Sequence, residues 1–397
     1  MPAPERIAGS DDIALQLLYF TSTSLSADGR TLVAIGESDT GMPDLYRVDL
    51  GSGAIAPLTA NRDGVLRSYV YFDGTPYRGF GKASVSFDPV RQRLYYLRGT
   101  EIRVVDLDGN DRRLGQYPEG QVTGFTHVSA DGRWLCVPTT DEAAFTEDAD
   151  WEKRDHGIDA RVQRLGLSSY LRIYDTASGE EEVSERVPSA WITHVQFSPT
   201  DAKLILYNHE WPADCGIRRV WLWDGSTHRA LRTEGNGRSR NDWSCHEMWE
   251  RDGRAVIYHG RFVDGRAFVG RVGIAGGEPV EIALPADWTR YGHFTVGTDE
   301  SQLVTDGYYR AGSEDTDTVS PFLSRLDVDW QKGTIRWRTL CRTGSSWDSQ
   351  DSHPHPIYDH DGRHVYFTSD RDGRRAIYRA DAEAEALADI FLEAPAI

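Results

Sequence analysis

The 397-residue chain is 39% hydrophobic and 11% aromatic, enough to bury a sizeable core, and its 38 Gly and 17 Pro imply many turns. Lys and Arg total 44 against 62 Asp and Glu, a formal charge of −18. A surface this acidic argues against nucleic-acid binding, which needs phosphate neutralisation, and an anionic ligand would need cations gathered in one cleft.

The N-terminus carries no basic-then-apolar leader, and no run approaches about 20 apolar residues. The expectation is a soluble cytoplasmic protein with no membrane partner. The four cysteines, Cys136, Cys215, Cys245 and Cys341, are scattered. They match neither a disulfide framework nor a paired zinc-ribbon spacing.

In chain order, the first element is the apolar run at 13–20, expected to lend a strand to the last repeat and so lock a ring. A self-similar unit follows: a short β-rich run, Ser-x-Asp-Gly-Arg or a relative, an apolar strand, and a further strand ending in an Asp-containing step. Its copies lie at about 25–59, 86–116, 127–186, 195–233, 247–284, 294–340 and 355–389. The first reads Ser26-Ala27-Asp28-Gly29-Arg30, the third Ser129-Ala130-Asp131-Gly132-Arg133, the seventh Asp361-Gly362-Arg363. Alternating polarity around Asp-Gly turns is a hairpin signature. A repeat of roughly 40–60 residues with four strands' worth of pattern is the size of a propeller blade. One blade cannot bury both faces of its sheet, so the blades must stack.

The predicted fold is therefore all-β: one seven-bladed β-propeller domain over 1–397. An open solenoid or a pair of sandwiches fits the count and spacing less well. The longest irregular insert, 139–165, is expected to cover one face as a partly helical flap.

Aligned on the turn, four units place an imidazole three residues before the strand anchor: His194 before Phe197, His246 before Trp249, His293 before Val296 and His355 before Tyr358. If the ring closes, these meet at one mouth of the central channel. His353 lies two residues before His355, on the same side of an extended segment, and Gln350 lies on the connection leading in. His127 is a further candidate with its register displaced by two. His293, Gln350, His353 and His355 could share one cation. Nitrogen and amide-oxygen donors without thiolate suit Mn²⁺ or Zn²⁺. Channel histidines bonded to backbone or water are the alternative. Arg219, beside such an ion, would bind a carboxylate. Trp211 and Trp249 could stack on sugar faces, although a tryptophan in a propeller commonly packs between blades.

Gln350-Asp351-Ser352-His353-Pro354-His355-Pro356, Tyr207-Asn208-His209-Glu210, Arg219-Val220-Trp221, Ser244-Cys245-His246-Glu247-Met248-Trp249 and Gly292-His293-Phe294 with Thr305-Asp306-Gly307 resemble the oligogalacturonate lyases over nearly the whole length. The Asp-Gly turns are less specific, being shared with TolB-like propellers. The resemblance implies a Mn²⁺ site of His293, Gln350, His353 and His355, with other divalent ions possible. It also implies His246 as general base, Arg219 as a carboxylate-binding or charge-stabilising group, and His194 and His209 lining the cleft. The implied substrate is a small acidic oligosaccharide, cleaved by β-elimination to a 4,5-unsaturated product.

The stretch Gln16-Leu17-Leu18-Tyr19-Phe20-Thr21-Ser22-Thr23 lacks the His and Lys of the family pattern, and Trp211-Pro212 stands where Gly-Pro is usual. These departures touch expected substrate contacts. They keep open a lyase or hydrolase for another acidic or oxidised glycoside; a propeller that only binds a ligand is a separate alternative, against which the in-register histidines and His246-Glu247 argue. The oligomeric state has no signature in the sequence.

Overall fold

A computed structural model describes residues 3–38, 43–60, 85–145, 158–210, 219–232, 242–288, 292–307, 322–348 and 350–393. Its strands form seven antiparallel sheets, the blades of a β-propeller. Blade 4, Val195–Phe197, Ile205–Asn208, Val220–Trp223 and His228–Ala230, shows the plain four-stranded meander. Blades 2 and 5 follow it, from Ser86–Asp88 to Asp111–Gln116 and from Trp243–Trp249 to Val280–Ala283. Blade 3 divides its innermost strand into Gln121–Thr123 and His127–Val128, both paired with Trp134–Asp141.

Ring closure differs from the expectation. The closing strand is Glu5–Ala8, which joins the outer edge of blade 7 beside Ala376–Asp381. Ile13–Leu17, from the apolar run at 13–20, is instead the innermost strand of blade 1. The reason is burial: four of its five residues are buried, as an axial strand requires, whereas Glu5 and Arg6 are exposed, as an outer edge allows. The C-terminal Ala388–Glu393 is a fifth strand on blade 6, outside the unit expected at 294–340.

The core is a ring of seams. Seven apolar clusters each bridge neighbouring blades, including Leu15, Leu17 and Tyr46 of blade 1 with Ile357, Tyr366 and Ile377 of blade 7. Dispersion and apolar burial in these seams hold sheets that could not stand alone. The Asp-Gly turns also join blades: Gly132 has φ +65, and a Cβ there would run into Asp88 and Arg91 of blade 2.

An eighth cluster lies off the ring. The short helix Ile158–Leu165 and the turn Glu142–Phe145 pack on Trp191. The insert is thus partly helical where it is described, and it backs the segment that delivers Thr193 and His194. Among the described residues no helix is long and apolar enough to cross a membrane.

Candidate active site and metal centre

Four of the innermost strands follow or contain a buried histidine: His194 directly precedes Val195–Phe197, His293 directly precedes Phe294–Val296, His355 stands two residues before Ile357–Tyr358, and His246 lies inside Trp243–Trp249. Their rings converge. Centroids are 6.4 Å apart for His194 and His246, 4.4 Å for His246 and His293, and 3.9 Å for His293 and His355. His353 stands 5.6 Å from His293 and 4.4 Å from the Trp347 ring. His246, Trp347 and His355 have φ of 51°, 60° and 44°, a left-handed backbone that costs energy in non-glycine residues and gathers at functional sites. At His246 it accompanies a bulge between Cys245 and Met248, which re-aims the side chain toward the axis.

The nitrogens of His293, His353 and His355 can offer ligand atoms within 4.8 Å of one another. His293 Nε2 and His355 Nε2 are 3.0 Å apart. Behind them lies Asp306, fully buried, which sequence reading touched only as part of a longer segment. Its carboxylate accepts from His293 N–H at 2.6 Å, from the His293 Nδ1 side at 3.0 Å and from His355 N–H at 3.1 Å. A carboxylate only accepts, so His293 carries its proton on Nδ1 and turns the Nε2 lone pair inward, the usual support for a metal-binding histidine. Burial alone would raise the Asp306 carboxyl, but His293 holds it below the ordinary value. The donor set therefore fits a divalent cation. Gln350 opens the short turn Gln350–Ser352 that leads into His353. Asp351 in that turn is held by Gln16 Nε2 at 3.1 Å and Arg375 Nη1 at 3.0 Å.

His246 is arranged differently. Its Nδ1 lies 2.8 Å from the Gly292 carbonyl and 2.8 Å from His259 Nε2. The carbonyl can only accept, which puts the proton on Nδ1 and leaves Nε2 as a lone pair. Gly292 itself packs against the Gly307 backbone, where a Cβ would collide. Burial, with His293 and His259 alongside, holds His246 well below the ordinary imidazole value, so it is neutral.

Arg219 is buried between two carboxylates. Its Nη1 reaches Glu210 Oε1 and its Nε reaches Glu247 Oε2, each at 3.3 Å. Burial would raise both acids; Arg219 reverses this and brings Glu247 down to about 2. Glu210 also accepts from Asn208 Nδ2 at 2.8 Å and from the Thr193 hydroxyl. His194 Nδ1 faces Glu247 Oε1 at 3.4 Å.

Three sequence candidates, Trp249, His209 and His127, stand elsewhere. Trp249 is a core residue between blades 4 and 5, its indole N–H donating to the Gln196 carbonyl at 3.1 Å, which corrects its expected place on a cleft wall. His209 packs its ring on Tyr207 and Trp221 of its own blade and is pushed down to about 3 by burial; among the described residues its ring meets none of the axial histidines. Trp211 lies outside the described residues. His127 holds the Phe197 amide through Nδ1 at 3.1 Å, a structural bond.

The residues that sequence reading passed over share a position. Asn208, His259 and Thr368 stand on the second strand of blades 4, 5 and 7, and Asp306 directly follows that of blade 6, across the hairpin from the axial histidines. The hairpin register, 13 or 14 residues onward, is the signal that points to them.

A family model described as oligogalacturonate lyase matches residues 6–385. The oligogalacturonide lyase of Pectobacterium atrosepticum is 27% identical over 389 residues, 93% of this chain and 90% of that one. The oligogalacturonate lyase of Dickeya dadantii is 26% identical over 392 residues, with the same coverage. The solved structure of an oligogalacturonate lyase in complex with manganese has a TM-score of 0.75 at 23% identity, covering 95% of this chain and 92% of that one. A Vibrio parahaemolyticus oligogalacturonate lyase follows at 0.74 and 23% with the same coverage.

Proposed function

The chain belongs to the oligogalacturonate lyase family and is a lyase; on that premise we propose that it cleaves short oligogalacturonides by β-elimination, with a divalent ion, Mn²⁺ foremost, held by His293, Gln350, His353 and His355. The observation that carries the reading is His246, neutral, with its Nδ1 proton pinned by Gly292 and its ring beside His293. A neutral imidazole with an inward lone pair is what abstraction of the C5 proton requires.

In the elimination, Nε2 of His246 takes the C5 proton, a C4–C5 double bond forms and the C4–O bond breaks. A bound divalent ion would offset the negative charge that grows on the adjacent carboxylate. Arg219 is assigned to the same carboxylate. Glu210 and Glu247 hold it in one orientation and offset its charge locally, so it contributes aimed hydrogen bonds more than net attraction. His194 is assigned to the substrate side, whereas His209, packed on Tyr207 and Trp221, takes no part.

The test is incubation of short oligogalacturonides with Mn²⁺, following ultraviolet absorbance of the conjugated product. The parent protein is expected to develop it. His246→Ala is expected to lose about 10²–10⁴-fold in rate while still binding manganese. A fully active His246→Ala protein would remove the base assignment, and chain cleavage without absorbance would mean hydrolysis.

A further inference from the structure

The run at 13–20 does more than build an inner strand. Beyond Leu17, Tyr19 and Phe20 enter the space that the axial histidines surround. The Phe20 ring lies 5.4 Å from His246 and 5.2 Å from His293. Tyr19 stacks on Phe125 at 3.7 Å and stands 5.0 Å from His355. Its hydroxyl is 3.3 Å from His194 Nε2, and His194 Nδ1 faces Glu247 Oε1 at 3.4 Å. Glu247, His194 and Tyr19 therefore form a carboxylate–imidazole–hydroxyl line; with His194 Nε2–H donating to the phenol oxygen, the Tyr19 proton is left free for an oxygen of the substrate. Tyr19 stands between the metal-binding imidazoles of blades 6 and 7 and the Arg219 group of blades 4 and 5.

β-Elimination has two proton transfers, and His246 accounts for one. The oxygen leaving C4 needs a proton, since an unprotonated sugar alkoxide is a poor leaving group. We propose that Tyr19 is the acid of the elimination, giving its phenolic proton to the oxygen that leaves C4, with His194 and Glu247 as positioning residues; the proposal rests on the lyase reading above. The C5 proton goes to His246 Nε2, the pair it leaves behind forms the double bond, and the leaving oxygen keeps the C4–O pair and takes the Tyr19 proton. After product departs, water returns a proton to Tyr19 and His246 releases one, so the enzyme is restored.

The experiment compares two substrates: an oligogalacturonide, and a galacturonide bearing a 4-nitrophenoxy group at C4, which departs without a proton. Tyr19→Phe is expected to lower kcat on the first by about 10²–10⁴-fold and to match the parent enzyme on the second. Its manganese titration and melting temperature are expected to stay near those of the parent. His194→Asn is expected to show the same contrast in smaller degree. Equal losses on both substrates, or an undiminished rate on the oligogalacturonide, would overturn the assignment alone. A parent enzyme inert on both would bring down the lyase reading and this assignment with it.

Discussion

Blades 4 and 6 hold a histidine at the same place and differ in what stands across the hairpin. In blade 4 the His194 amide donates to Asn208 Oδ1 at 2.8 Å; in blade 6 the His293 amide donates to Asp306 Oδ1 at 2.6 Å. The backbone bond is the same, but the side chains diverge. The carboxylate of Asp306 also claims His293 Nδ1, which leaves Nε2 as the lone pair. The amide of Asn208 turns to Thr193 and Glu210, and the His194 ring is left to Glu247. Blade 5 supplies a third case, in which His259 and a carbonyl, both uncharged, stand behind His246. On the proposed reading, one repeated position serves as ligand, base or relay imidazole according to its partner across the hairpin.

The largest effect expected is on the blade 4 side. Arg219→Met would leave Glu210 and Glu247 buried without their shared cation, and denaturant unfolding should show a loss of about 3–5 kcal/mol. An unchanged midpoint would mean that the two halves of the site do not differ in this way.

Next comes acid stability. Glu247 falls from 4.5 to about 2 in the fold, so its contribution is complete above the ordinary value and disappears as pH falls from there toward 2. Glu247→Gln should remove the pH dependence in that window, on the order of 3 kcal/mol, and an acid limb as steep as the parent's would contradict the assignment.

Asp306→Asn, which gives blade 6 the amide of blade 4, should weaken manganese binding about 10–100-fold in calorimetry. Undiminished affinity would show that the carboxylate does not set the ligand. The smallest effect belongs to Trp249→Phe: loss of about 1 kcal/mol for its hydrogen bond and no change in KM. A raised KM would restore Trp249 to the substrate site.

The fold was legible because each blade repeats one turn and one apolar pattern, and stacking follows from sheets that cannot bury themselves. The four axial histidines were legible for the same reason. Their partners were not, because Asn208, His259, Asp306 and Thr368 share a position without sharing a chemistry, and their relation exists only once the hairpin register is set. Closure was misread because an apolar run was taken for the locking strand, whereas the lock is half polar and lies at the rim. Trp249 shows the common limit of reading aromatics: its type suits a sugar and a seam equally, and the seam took it.

The division of labour among the axial histidines is tested most directly by manganese titration of the parent protein and of His293→Ala, His355→Ala, His246→Ala and His194→Ala. The first two variants are expected to lose binding, and the last two to keep the parent stoichiometry and affinity. Loss of manganese by His246→Ala or His194→Ala equal to that of His293→Ala, or retention by His293→Ala, would contradict the account.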